Sequence, residues 1–272
     1  MTLPALYIVT GASRGLGEAF TRLLLQRTPV HVLAIARHAN AQLAQLADET
    51  GARLDQWQFD LRDAKEAGSL LLEWLAQPDR TNTAWREVCL INNAATLPTV
   101  LQSASDTSSE AFETVLQVGL HAPIMLTSRF LEITQDWPAP RKVLNLSSGL
   151  ARSAMASTAA YSTAKAGVDH FTRCLAREEE RKPNGARVCA LAPGVVDTDM
   201  QQQMRESAEQ DFPDAKNFRF LHASGRLTSV ETAASRMLTL LDSPSFGSEP
   251  IAELRAEPSA ESRAPARTIA KP

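Results

Sequence analysis

ALYIVTGASRGLGEAFTRLL, residues 5–24, holds a strand, a turn and a helix in one line. Ala5 to Val9 is a short apolar run, the pattern of a strand buried on both faces. It runs straight into Thr10-Gly11-Ala12-Ser13-Arg14-Gly15-Leu16-Gly17, after which Ala19, Phe20, Leu23 and Leu24 recur at helical spacing. In that order the three elements make a place for a pyrophosphate. Gly11 allows a tight turn, Gly15 and Gly17 allow close backbone approach, and the helix N-terminus attracts the anion. A turn with no ligand is the competing reading, and the strand-to-helix context favours the phosphate.

The alternation continues down the chain. Val30 to Ala36 reads as a second strand, Ala41 to Glu49 as a helix, and Arg53 to Leu61 as a third strand ending at Phe59-Asp60-Leu61. Leu70 to Leu75 supplies a helix face, and Val88 to Ile91 is a fourth strand ending in Asn92-Asn93-Ala94-Ala95, whose amides are placed to brace the glycine turn. A long helix from Phe112 to Leu131 is interrupted only by Gly119 and Pro123. A fifth strand, Val143 to Ser148, a helix reaching Glu180 and a sixth strand, Arg187 to Leu191, follow. Val230 to Leu241 is one more helix and Ile251 to Leu254 a last strand. These units predict an α/β fold: a Rossmann-type doubly wound parallel sheet of about seven strands with helices on both faces, a three-layer α/β/α sandwich. One domain over residues 1–255 is expected, with 201–226 placed to cover a site or simply to pack on it, and 256–272 as a disordered tail.

Charge and cysteine usage narrow the function. The 28 basic residues against 31 acidic ones offer no positive field for nucleic acid or anionic lipid, so small-molecule work is favoured. Cys89, Cys174 and Cys189 show no metal-ligand spacing and are odd in number, which fits thiols in a reducing compartment. The N-terminal MTLPALYIVTG has no cationic region before its apolar stretch, and no apolar run is long enough to span a bilayer. Cytoplasm is the expectation.

NLSSGLARSAMASTAAYSTAKAG, residues 145–167, carries the chemistry. Ser148 sits where a strand meets its loop, and Tyr161 and Lys165 share one face of an alanine-rich helix. A phenol titrates near 10, so it exchanges protons poorly at neutral pH unless a neighbouring cation stabilises its anion. Ser148 is placed to hold a carbonyl oxygen while Tyr161 protonates it. Tyr161 as a packing residue beside an accidental lysine is the alternative. At the other end, Arg37 follows the second strand where an NAD-binding unit usually carries an acidic residue. Arg37 and Arg14 are placed to clamp a 2′-phosphate, unless both are merely solvated. Asp60 is placed to meet an adenine amino group or to cap a helix.

TGASRGLG, NNAA, Ser148, YSTAK and PGVVDT stand in the order and spacing of the short-chain dehydrogenase/reductase family, which the chain resembles from about Leu3 to Leu254. VVDTDMQQQMRE and GRLTSVETAASRMLTLL look most like its sepiapterin reductase and benzil reductase branch. The resemblance implies NADP-dependent hydride transfer to a ketone or vicinal diketone. Tyr161 is then the acid/base, Ser148 the holder of the substrate oxygen, and Lys165 the ribose ligand that lowers the Tyr161 pKa. The implied cofactor set is Gly11, Ser13, Arg14, Gly15, Leu16, Gly17, Arg37, Asp60, Leu61, Asn93, Ala94, Tyr161, Lys165, Pro193, Gly194, Val196 and Thr198. The implied substrate set is Ser148, Met155, Tyr161, Met200, Met204 and Glu253, and the family habit is a homodimer or homotetramer. One departure stands out: VLQVGLHAP puts Gly119 where the family has an asparagine whose side chain fixes a helix irregularity used by a proton relay. On that ground an NADP(H)-binding regulatory or scaffold protein with little turnover is the rival reading. Restoring asparagine at 119 is expected to leave the enzyme equally active or faster.

Overall fold

A computed structural model describes residues 2–254, so the expectation of a disordered tail lies outside the described residues. In chain order the elements are β1 (Ala5–Thr10), α1 (Gly15–Leu25), β2 (Val30–Ala36), α2 (Ala41–Thr50), β3 (Arg53–Gln58), α3 (Ala64–Leu75), α4 (Pro78–Thr81) and β4 (Glu87–Asn92). Then come α5 (Ser109–Leu116), a π-helical turn (Gln117–His121), α6 (Ala122–Thr134), β5 (Arg141–Leu146), a 3₁₀ turn (Gly149–Ala151) and α7 (Ala159–Glu179). The described residues end with β6 (Arg187–Ala192), α8 (Asp199–Glu206), α9 (Ala215–Ala223), α10 (Val230–Asp242) and β7 (Ile251–Glu253). The seven strands form one parallel sheet in the order β3-β2-β1-β4-β5-β6-β7. Winding reverses between β1 and β4, and in such sheets ligands bind outside the carboxyl ends of the strands at that point.

Strand periodicity divides the core in two. Ala5, Tyr7 and Val9 point to the face covered by α1 and α10, where Phe20, Leu24, Met237 and Leu238 are buried. Leu6 and Ile8 point to the other face, against Leu71, Leu126 and Phe130 from α3 and α6. Both faces of the central strands are therefore dry, which is why β1 reads as an apolar run, and β2 as one broken only by the buried His31, rather than as alternating strands.

Some polar groups inside the sheet are held in hydrogen-bonded sets. Tyr7 Oη donates to Glu87 Oε1 at 2.5 Å, and Lys142 Nζ reaches Glu87 Oε2 at 2.8 Å and the Leu241 carbonyl at 2.9 Å. Burial raises the Glu87 pKa, but the hydrogen bonds from Lys142 and Tyr7 win and hold the carboxyl below its ordinary value.

Among the element ends that differ from the sequence expectation, three bear on the site. β3 stops at Gln58 rather than Leu61, because Asp60 Oδ1 accepts from the Arg62 N–H at 3.0 Å and turns the chain out of the sheet. β5 ends at Leu146 instead of Ser148, and Ser148 becomes the cap of the 3₁₀ turn, accepting from the Leu150 N–H at 3.2 Å. The expected helix from Phe112 to Leu131 begins earlier, at Ser109 behind its Ser108 cap, and changes to a π-helical turn at Gln117–His121.

Candidate active site

A cleft of about 730 Å³ opens at the carboxyl ends of the strands, on the turns that leave β1, β2, β4, β5 and β6. Gly11 and Gly15 take positive φ values of 67° and 55°, which other residues adopt at a cost. The Gly11 N–H donates to the Ile35 carbonyl at 2.8 Å, fixing the turn against β2. Asn93 locks it from the other side: its Nδ2 donates to the Thr10 carbonyl at 2.9 Å and the Gly11 carbonyl at 3.3 Å. Thr10 Oγ1 accepts in return from the backbone N–H groups of Asn93 and Ala94, each at 3.0 Å.

Of the cofactor set read from the sequence, every residue except Gly17 lines this cleft. Gly17 lies behind the turn, where a β-carbon would collide with the Gly11 carbonyl oxygen. Its part is close packing of α1 under the turn, not approach to a phosphate. Of the two strand-end amides, only Asn93 braces the turn. Asn92 points the opposite way and donates to Asn145 Oδ1 at 2.8 Å and Thr127 Oγ1 at 3.0 Å.

The two arginines of the sequence reading sit at the mouth. Arg14 Nη1 is 2.7 Å from Asp199 Oδ2, an exposed bridge between the glycine turn and the start of α8. Arg37 follows β2 and faces Asp60, which is held by Arg62 through Nε at 2.9 Å. Burial raises the Asp60 pKa, and the Arg62 hydrogen bonds outweigh that and keep the carboxyl ionised. Arg62 was not anticipated: it stands in a polar run whose pattern has nothing to mark it.

Ser148, Tyr161 and Lys165 converge at the floor of the cleft. Lys165 is 3% exposed, its Nζ donates to the Leu146 carbonyl at 2.6 Å, and it lies 5.8 Å from the centre of the Tyr161 ring. Burial pulls the Lys165 pKa down to about 8, and the charge of Asp169 opposes that. Burial pushes the Tyr161 phenol above its ordinary value, and a hydrogen bond with Ser148 pulls it part of the way back. The sequence reading expected the ammonium to lower the phenol outright. In this geometry desolvation of the buried ring is the larger effect.

The region of Gly119 corrects another expectation. The helix irregularity is present without the asparagine, as the π-helical turn Gln117–His121 with Gly119 buried at its centre. A β-carbon at 119 would sit 3.2 Å from Ala164 Cβ, beside Lys165. Gly119→Asn is therefore expected to destabilise the protein by about 1–3 kcal/mol through overpacking and to bring no gain in turnover. Thermal melting and kcat/KM check this, and an equally stable, faster variant would show that α7 yields freely.

The far end of the cleft, where the sequence reading puts the substrate, lies under α8 and α9, the segment expected to cover a site. Met155, Met200, Met204 and Glu253 all line it. Leu150, Phe218 and Leu221 join them; the last two belong to the 201–226 segment expected to cover a site, while Leu150 has no pattern that sets it apart from any packed turn. Glu253 Oε2 is 3.0 Å from Arg152 Nη2, so its carboxylate is already paired.

Known proteins resemble this chain in sequence and fold. The profile of the short chain dehydrogenase family matches residues 5–209. The benzil reductase ((S)-benzoin forming) of Bacillus cereus is 36% identical over 239 residues, covering 88% of this chain and 94% of that protein. The sepiapterin reductase of Meriones unguiculatus is 33% identical over 257 residues, covering 90% of this chain and 94% of that protein. Among solved structures, the KRED1-Pglu enzyme superposes with a TM-score of 0.73 at 30% identity, covering 87% of this chain and 94% of that one.

Proposed function

From the fact that the chain belongs to the short-chain dehydrogenase family, we propose that it is an NADPH-dependent carbonyl reductase acting on ketones or vicinal diketones. The observation that carries this is Ser148, Tyr161 and Lys165 meeting in one cleft with a glycine turn at its other end. The relatives named for benzil and sepiapterin reduction support the substrate class.

The residues present fit a dinucleotide. α2, α3 and α5 carry side-chain caps, whereas the N-cap of α1, Arg14, makes none, so the leading N–H groups of α1 remain free for an anion. Gly15 lines the cleft with open space where a side chain would stand. Arg37, Arg14 and Arg62 supply positive charge at the mouth for a 2′-phosphate. Asn93, Val196 and Thr198 line the stretch between mouth and floor. When bound, NADPH supplies the hydride.

The chain's own residues do the rest. Ser148 holds the substrate oxygen by a hydrogen bond and keeps it beside the Tyr161 hydroxyl. Tyr161 donates its proton to that oxygen as negative charge develops there, and a phenol raised by burial stays fully protonated at neutral pH, ready to donate. Lys165 holds the ribose and balances the phenolate that remains. Leu150, Met155, Met204 and Phe218 keep water from the reacting carbon and suit an aryl or alkyl flank.

The rival, a nucleotide-binding regulator, rested on a lost helix irregularity, and the π-helical turn keeps it. Three free cysteines accord with a cytoplasmic setting. NADPH oxidation measured against benzil, isatin-like diketones, sepiapterin and simple aldehydes tests the proposal: turnover with the diketones is expected, and silence across the panel would return the regulator.

A further inference from the structure

Behind the catalytic floor lies a charged chain that the mechanism above does not use. Asp169 stands one helical turn beyond Lys165 on α7 and is 1% exposed. Ser147 Oγ donates to Asp169 Oδ1, and Arg152 Nη1 lies 3.4 Å from Asp169 Oδ2. Through Nη2 the same Arg152 reaches Glu253 on β7. Lysine, aspartate, arginine and glutamate thus alternate in sign from the buried floor to the exposed rim, drawn from α7, the turn after β5, and β7.

A carboxylate this deep is costly unless compensated, and a well-packed apolar residue would serve a purely structural need as well. Its place is what is informative: the residue before the catalytic serine donates to it, and the catalytic lysine shares its helix face. We propose that Asp169, oriented by Ser147 and moderated by Arg152, is a positioning residue that keeps Lys165 in its charged form inside the site. This rests on the reading that Lys165 holds the cofactor ribose and serves Tyr161.

The electrostatics agree in direction. Burial drives Lys165 toward the neutral amine and the charge of Asp169 opposes it. Other elements facing Asp169 bring Arg152 from the turn after β5, Glu253 through Arg152, and Cys189 from β6. The Cys189 thiol is pushed up to about 12 by burial and by the charge of Asp169, so it stays neutral and does not compete. Tyr161, also on α7, is raised and neutral too.

The test is the pH dependence of NADPH affinity, read by fluorescence titration, alongside that of kcat/KM. Ammonium is lost as pH rises through the Lys165 pKa, so both quantities should fall along an alkaline limb. Asp169→Asn keeps the shape and removes the charge; its limb should move down by about one pH unit. Arg152→Gln leaves the carboxylate to act on Lys165 unopposed; its limb should move up. A merely structural network predicts lower melting temperatures for both and no opposed shifts. An unmoved limb in either variant, or shifts of one sign, overturns the proposal. Should Asp169→Asn fail to fold, Arg152→Gln decides alone: an upward shift supports it, and an unmoved or downward one overturns it. If the parent reduces no carbonyl, the carbonyl reductase reading fails, while NADPH affinity against pH still reads the network.

Discussion

Tyr161→Phe is expected to lose carbonyl reduction by about two to four orders of magnitude in kcat, the usual worth of a positioned proton donor, while NADPH affinity stays within a few fold. The ring is 7% exposed and packs in the cluster of Leu97, Val115, Ala164 and Met204, so phenylalanine fills the same volume and the fold should survive. What disappears is the hydroxyl and its hydrogen bond with Ser148. Substrate binding through the apolar wall is kept, so KM should move little and the loss should fall on kcat. Stopped-flow turnover with a diketone, set beside a cofactor titration, checks both halves. Turnover within a few fold of the parent would remove Tyr161 from the chemistry.

Cofactor choice should turn on Arg37. Arg14 and Arg62 are each engaged by a carboxylate, Asp199 and Asp60, whereas Arg37 is tied to neither and acts on Asp60 only through its charge. A 2′-phosphate can therefore recruit Arg37 without breaking a bond, and NADPH is expected to exceed NADH by at least about tenfold in kcat/KM, or about 1.4 kcal/mol. Arg37→Asp should reverse the order, because a carboxylate accepts from two ribose hydroxyls and repels a phosphate. Adding Arg14→Ala should reverse it only slightly further, since Arg14 must first leave Asp199. Equal efficiencies with the two cofactors in the parent would show that these guanidinium groups are surface charges alone.

The fold was legible because its decisive signals are local. The apolar runs Ala5–Val9 and Val30–Ala36, and the glycines between the first run and its helix, announce buried parallel strands whatever the rest of the chain does. Ser148, Tyr161 and Lys165 were legible for a similar reason: one strand end and one helix face bring them together within a few turns of chain. Three features were not. Neighbouring amides such as Asn92 and Asn93 look alike in sequence, but strand geometry sends them to opposite sides, and only one reaches the glycine turn. The π-helical turn at Gly119 lies close against Ala164, and no local pattern of residues marks it. The pairings of Arg14 with Asp199 and of Arg152 with Asp169 and Glu253 join residues that only the assembled sheet brings near.

The strand order sets the sequence in which these pieces can come together. β1 lies mid-sheet, and its partners β2 and β4 are complete by Asn92, so the glycine turn and its Asn93 lock need only the first third of the polypeptide. The floor with Ser148, Tyr161 and Lys165 waits for β5 and α7, and the rim waits for β7, which among the described residues pairs with β6 alone. Every ladder in the sheet is parallel and so closes a long loop before it is rewarded, which makes folding slow and orders it by loop length. A chain emerging from the ribosome thus completes its glycine turn well before it has the serine, tyrosine and lysine of the floor.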